Sequence, residues 1–213
     1  MQDCLRIKNE LAVLRERFHE NLRVIPSRDK WNPAAAIVLA NFVMPPGVEP
    51  GVIDVRVPIP ALYGFSAVPT YALFQQALIR EGERVPFCRL LESDELEKNL
   101  PYLVDFRERR DWPEQVHALC LSPEWRPGRV APHIDLMTFL EHIRAYLVNP
   151  RALLLGTLRE WRTRAAGGAG PELYLRIAYF ERELGYLEQA RESIARGRRL
   201  FPDHADFDRL EIP

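Results

Sequence analysis

The chain has 213 residues, enough for one domain of ordinary size plus an appendage, since domains cluster at roughly 100 to 150 residues. Hydrophobic residues at 47% and charged residues at 28% argue against disorder, and 29 basic against 30 acidic residues argue against the electrostatic footprint that phosphate-backbone binding needs. No stretch approaches the ~20 apolar residues that span a bilayer, and Met1 to Arg23 lacks an apolar core of signal-peptide length. A cytoplasmic protein is expected, with neither nucleic acid nor membrane as partner.

In chain order, Ile7, Leu11, Leu14, Phe18 and Leu22 recur at helical spacing and predict a helix over about 4–23, with Asp3 available as its cap. Ala34 to Phe42 is an apolar run that stops at Met44-Pro45-Pro46-Gly47, so it is expected to be a strand. Ile53-Asp54-Val55-Arg56-Val57 alternates apolar with charged side chains and ends at prolines, the pattern of a second strand, with Tyr71 to Phe74 expected as the next. From Arg80 to Gln115 the sequence turns charge-rich and reads as an excursion, with a short helix at Glu92 to Lys98. Val116 to Leu121 is a further short apolar run. Leu136, Phe139, Leu140, Ile143 and Leu147 then predict a helix capped by Asp135, followed by another from Ala152 to about Arg164.

The glycine-rich 167–170 reads as a hinge, which sets the expected domains at 1–166 and 171–213. Beyond it, Leu173 to Leu184 and Leu187 to Leu200 form two helices with Ala178, Gly185-Tyr186, Ala190 and Pro202 at tetratricopeptide spacing. Ile177, Ala178, Ala190 and Ile194 are its inward positions, and Arg191, Arg196, Arg198 and Arg199 gather basic charge near its end. One such repeat cannot bury its own apolar face, so it must dock on something.

Cys4, Cys88 and Cys120 are an odd number at wide spacing, which supports neither a disulfide framework nor a zinc site. A single working thiol remains open, although most unpaired cysteines are small core hydrophobes. Cys88 follows Val85-Pro86-Phe87 and is expected to be packing, and Cys4 silent. No metal or organic cofactor is indicated.

Two stretches carry a resemblance. Ile53 to Phe74, with Pro58, Tyr63, Gly64, Phe65 and Pro69, resembles the ubiquitin-conjugating family's strand ending in proline, Tyr-Pro-Phe turn and proline-led strand. His117-Ala118-Leu119-Cys120-Leu121, followed by Trp125-Arg126-Pro127 and a helix ending at Asn149-Pro150, is similar to that family's apolar-Cys-Leu segment, Trp-x-Pro and Asn-Pro-terminated helix. The resemblance covers about residues 3 to 160 and is nearest to the diverged bacterial members. It implies an α+β, UBC-like fold with an N-terminal helix, antiparallel meander, active-site loop and C-terminal helices, to which the helical hairpin is added. It also implies that Cys120 accepts a ubiquitin-like protein as a thioester from an activating-enzyme-like protein and passes it to an amine of an as yet unknown target, in antiphage defence.

Such a thiol has to be reachable and able to ionise, because the thiolate is both nucleophile and leaving group. One departure stands out. Eukaryotic members carry His-Pro-Asn before the cysteine, where this chain reads Arg110-Asp111-Trp112-Pro113. His117 is offered as a supporting group, although a spacing of three along a strand points it away from Cys120. Arg6, Lys8, Arg15 and Arg17 make the first helix basic, either as a solvated face or, as the resemblance implies, as a contact for the activating enzyme. Two rival functions stay open: a non-catalytic adaptor of the same fold that binds through its hairpin, and a cysteine hydrolase pairing Cys120 with His133 or His142. The hydrolase is disfavoured because its nucleophile usually opens a helix, which Pro123 and Pro127 oppose.

Overall fold

Ile7, Leu11 and Leu14 form the buried stripe of α1 (Gln2–Phe18) in the structure, a computed structural model that describes residues 2–27, 34–60, 63, 69–91, 116–121, 135–210 and 212. The helix is shorter than its apolar spacing predicts. At His19 the backbone turns to φ 48°, a single 3-10 turn follows, and Leu22 leaves the helical stripe to enter strand β1 (Leu22–Ile25), where it pairs with Leu39. Asp3 lies inside α1 rather than before it. Periodicity alone could not separate helix from strand here, because a spacing of four satisfies both.

The chain then lays down β2 (Ala36–Val43), β3 (Val48–Glu49), β4 (Val52–Pro58), β5 (Tyr71–Phe74), β6 (Ile79–Arg80), β7 (Glu83–Arg84), β8 (Cys88–Leu91) and β9 (Val116–Cys120). Six of them form one antiparallel sheet in the order β1-β2-β4-β5-β9-β8, so the expected meander is present and is extended by two strands. β9 does not join the edge: it inserts between β5 and β8. The four residues Ala36 to Leu39 are all buried, although they point alternately to opposite faces, so this part of the sheet is covered on both sides. On one face Ala36, Val38, Leu73, Leu91, Val116 and Ala118 pack with Ile25 and Ala35 into one apolar cluster, against which Tyr71 lies.

Two local irregularities have clear causes. The β2/β4 register slips between Leu39 and Phe42, where Asn41 adopts φ 54° and its N–H donates to Asp54 Oδ1 at 3.0 Å, a bulge fixed by a side chain that tolerates the left-handed region. Glu81 and Gly82, both at positive φ, make the two-residue turn of the β6–β7 hairpin, which with β3 forms a second, small sheet. The excursion expected from Arg80 therefore contains strands through Leu91. Its expected helix at 92–98 lies outside the described residues.

Helix α2 (Leu136–Val148) buries Leu136, Phe139, Leu140, Ile143, Tyr146 and Leu147, and Asp135 Oδ1 accepts the N–H of Thr138 at 2.7 Å, as a cap should. Its far end is held by Arg80, whose Nη1 donates to the Leu147 carbonyl at 2.9 Å.

The chain divides into two compact units, Met1–Val148 and Asn149–Pro213. The division falls at Asn149 rather than at the glycine-rich hinge, because α3 (Pro150–Ala166) packs with the hairpin helices α4 (Pro171–Glu183) and α5 (Leu187–Leu200): Trp161 meets the Phe180 ring at 4.6 Å, and Arg162 reaches Glu181. Asn149 caps α3 through its side chain, with Pro150 at the first helical position. The hairpin itself follows the repeat pattern. Ile177, Ala178, Ala190 and Ile194 are buried, and Gly185 at φ 80° ends α4 with Tyr186 N–H on the Glu181 carbonyl and Gly185 N–H on that of Arg182. A final turn, α6 (Asp206–Arg209), buries Phe207 against Gly197. Among the described residues no helix is long and apolar enough to cross a membrane.

Candidate functional site

Cys120 ends β9, and its surroundings follow from the register of three strands. Tyr71 of β5 stands directly opposite it, while on the β8 side Cys88 pairs with Leu119. Opposed residues of an antiparallel pair share a face and successive residues alternate, so Cys120 and Tyr71 point to one side and Cys88 and Leu119 to the other. The two thiols are therefore back to back across the sheet and are not built to form a disulfide. They differ in environment as well. Cys120 is partly exposed, whereas Cys88 is buried, and burial pushes its thiol pKa up, keeping it protonated and unreactive.

Main-chain hydrogen bonds at the thiol are already spent. Cys120 N–H donates to the Phe87 carbonyl at 3.2 Å and Leu121 N–H to the Thr70 carbonyl at 2.7 Å. Leu121 thus continues the extended pairing past Cys120, so no helix begins at the cysteine and no helix dipole acts on it there. That geometry removes the feature a cysteine hydrolase would rely on.

His117 sits three residues before Cys120 in the same strand, opposite Phe74 and Leu90, on the face away from the Cys120 side chain. Its Nδ1 is buried without a hydrogen-bond partner, and burial followed by the nearby Arg84 charge lowers its pKa below the ordinary value of 6.5. A neutral imidazole on the far face cannot pass a proton directly to or from Cys120. His142, one hydrolase partner considered, lies in α2, and the other, His133, falls outside the described residues, as do Trp125, Pro127 and the window Arg110 to Pro113.

Tyr63 has a structural job. It is buried, its hydroxyl donates to Glu10 Oε2 of α1, and the same oxygen accepts the Leu136 N–H of α2 at 3.1 Å, with Arg6 on Glu10 Oε1 at 2.8 Å. One carboxylate therefore ties α1 and the chain at Tyr63 to the first turn of α2, where a negative charge also suits the helix dipole. Burial and the Glu10 carboxylate push the Tyr63 hydroxyl far above the ordinary tyrosine pKa, so it remains a donor at every physiological pH. Arg6, read from sequence as part of a basic face, is an internal partner of this cluster.

The second unit holds a polar cleft of about 370 Å³ lined by Arg162, Tyr174, Glu181, Glu192, Ser193 and Arg196 among others. Among its lining residues Glu181 is 1% exposed and satisfied by Arg162 Nη2 at 2.6 Å, Arg162 Nε at 3.1 Å and Ser193 Oγ at 2.7 Å. The basic end of α5 is largely engaged locally: Arg191 pairs with Glu188, Arg198 with Asp208, and Arg196 lies over the Tyr174 ring. Among the described residues no three of His, Cys, Asp and Glu come together as a metal would need.

Comparison with known proteins gives no match to any protein-family model, to any curated protein or to any solved structure.

Proposed function

We propose that the first unit is a UBC-like domain of the bacterial type and that Cys120 carries a ubiquitin-like protein as a thioester, taken from an activating-enzyme-like protein and passed to a target amine, in the cytoplasm and in the setting of antiphage defence. The observation that carries this reading is that Cys120, at the end of a strand, is a partly exposed residue, beside a second cysteine that burial keeps protonated. The order of N-terminal helix, antiparallel meander, cysteine and helix supports it, together with the Tyr63, Cys120-Leu121 and Trp125-Arg126-Pro127 residues in that order along the chain. A thioester needs a thiol that a bulky partner can reach from outside the sheet, and a strand terminus supplies one.

The test is a charging assay with ubiquitin-like protein, activating enzyme and ATP, resolved with and without reductant. A reductant-sensitive adduct that persists in Cys88→Ala and disappears in Cys120→Ala is expected. A folded protein that binds the ubiquitin-like protein without forming an adduct would replace conjugation by the adaptor reading.

A further inference from the structure

Glu192 and Arg196 lie four residues apart on α5, with the acid nearer the N-terminus, the order that best favours an ion pair along a helix. They do not pair, although Glu188 and Arg191 of the same helix do. Arg196 instead lies over the Tyr174 ring of α4, its Cζ 5.8 Å from the ring centre, and among the described residues neither Glu192 nor Arg196 has a hydrogen bond or an ion pair. The ring beneath Arg196 is itself fixed, because Tyr174 is buried and its hydroxyl donates to the Ala165 carbonyl of α3 at 3.1 Å. Held by a ring rather than by a carboxylate, the guanidinium keeps its hydrogen-bond donors for another partner.

Both side chains line the cleft of the second unit, about 370 Å³ in volume. The other charged pair in that lining is closed: Glu181 spends one carboxylate oxygen on Arg162 Nε and Nη2 and the other on Ser193 Oγ. The cleft therefore offers one open negative group and one open positive group on the same helix face, one turn apart. Buried Ala165 and Ile177 supply an apolar part of the same lining. A simple anion entering here would meet Glu192, and a simple cation would meet Arg196. A molecule with both charges and an apolar body satisfies all three parts. Because residues spaced in this way can bring their charged ends together, the two charges of the ligand must also be near neighbours, as they are in an α-amino acid. The volume suits so small a molecule, since it lies at the lower end of the roughly 300–1,000 Å³ of small-molecule sites.

We propose that this cleft binds a free α-amino acid with an apolar side chain, its carboxylate on Arg196, its ammonium on Glu192 and its side chain against Ala165 and Ile177. The proposal does not depend on the reading of Cys120.

Isothermal titration calorimetry of the full chain with L-leucine, L-valine, L-methionine and L-phenylalanine, each titrated separately, tests it. At least one is expected to bind saturably, at one site per chain. Two derivatives of that amino acid then assign the contacts, the N-acetyl form lacking the ammonium charge and the amide lacking the carboxylate charge. Each is expected to bind about tenfold or more weakly, as loss of a hydrogen-bonded charge implies. Glu192→Gln should weaken the amino acid and the amide to that extent while leaving the N-acetyl form as it was. Arg196→Gln should weaken the amino acid and the N-acetyl form while leaving the amide as it was. Both positions are exposed, so neither variant threatens the fold. No saturable binding of any of the four, binding unaltered in either variant, or a variant that weakens all three forms alike would overturn the proposal.

Discussion

Replacing Gly197 by alanine sets two general effects against each other. Gly197 lies inside α5, where alanine is normally favoured over glycine by about 1 kcal/mol. A Cβ added there, however, would lie 2.3 Å from Cε1 and 2.5 Å from Cζ of Phe207, whose ring is 1% exposed. Carbon atoms pack best at about 3.5–4.0 Å, so the ring must retreat by more than about 1 Å or leave its site. Retreat is overpacking, at about 1–3 kcal/mol, and complete loss of the ring's packing approaches the 3–5 kcal/mol typical of Phe→Ala. After the propensity gain is deducted, the net destabilisation expected is about 0–2 kcal/mol if the ring retreats and about 2–4 kcal/mol if its packing is lost. Urea denaturation followed by tryptophan fluorescence, to which Trp161 of the same unit contributes, measures it. In a Phe207→Ala background the same substitution should instead stabilise by up to about 1 kcal/mol, since only the propensity gain survives. An effect of the same sign and size in both backgrounds would refute the reasoning.

Native protein treated with iodoacetamide should be modified at Cys120 well before Cys88, read by peptide mapping; Cys88 reacting first would invert the two assignments. Tyr63→Phe removes the hydroxyl from Glu10 and is expected to cost about 1.5–3 kcal/mol, as for a hydrogen bond to a charged group, whereas an unchanged denaturation midpoint would show the contact to be idle. His117 should titrate below 6.5 in a proton NMR titration. Its folded pKa is depressed, so its contribution to stability is full above 6.5 and is lost as pH falls through the folded value, where the unfolded chain has already taken up the proton. Stability that rises on acidification through this window in wild type but not in His117→Phe would contradict the assignment.

The sequence was most legible where one periodicity acted over a long segment. The α2, α4 and α5 helices lie where apolar spacing put them, because each presents a single continuous face to a core. Short elements were not legible. β1 and β8 span four residues each, and what makes them strands is pairing with Leu39 and Leu119, distant partners that no local window contains. The glycines at 167–170 read as a linker by composition, but they turn the chain so that Trp161 can meet Phe180, and a helix interface rather than glycine content sets the boundary of the unit. At the candidate site, Cys120 could be singled out from its flanking residues and His117 set aside from its spacing. That Tyr71 stands opposite Cys120 could not be read, because that place depends on a register fixed across β5 and β9.

The central claim is a covalent one, and intact-mass spectrometry tests it most directly. Full-length chain is incubated with a ubiquitin-like protein, activating enzyme and ATP, under conditions where the activating enzyme itself becomes charged. The account predicts a mass increase of one ubiquitin-like protein less one water, reversed by dithiothreitol and mapped to Cys120. An activating enzyme that charges normally while Cys120 stays unmodified, or an adduct that maps to Cys88, would contradict it.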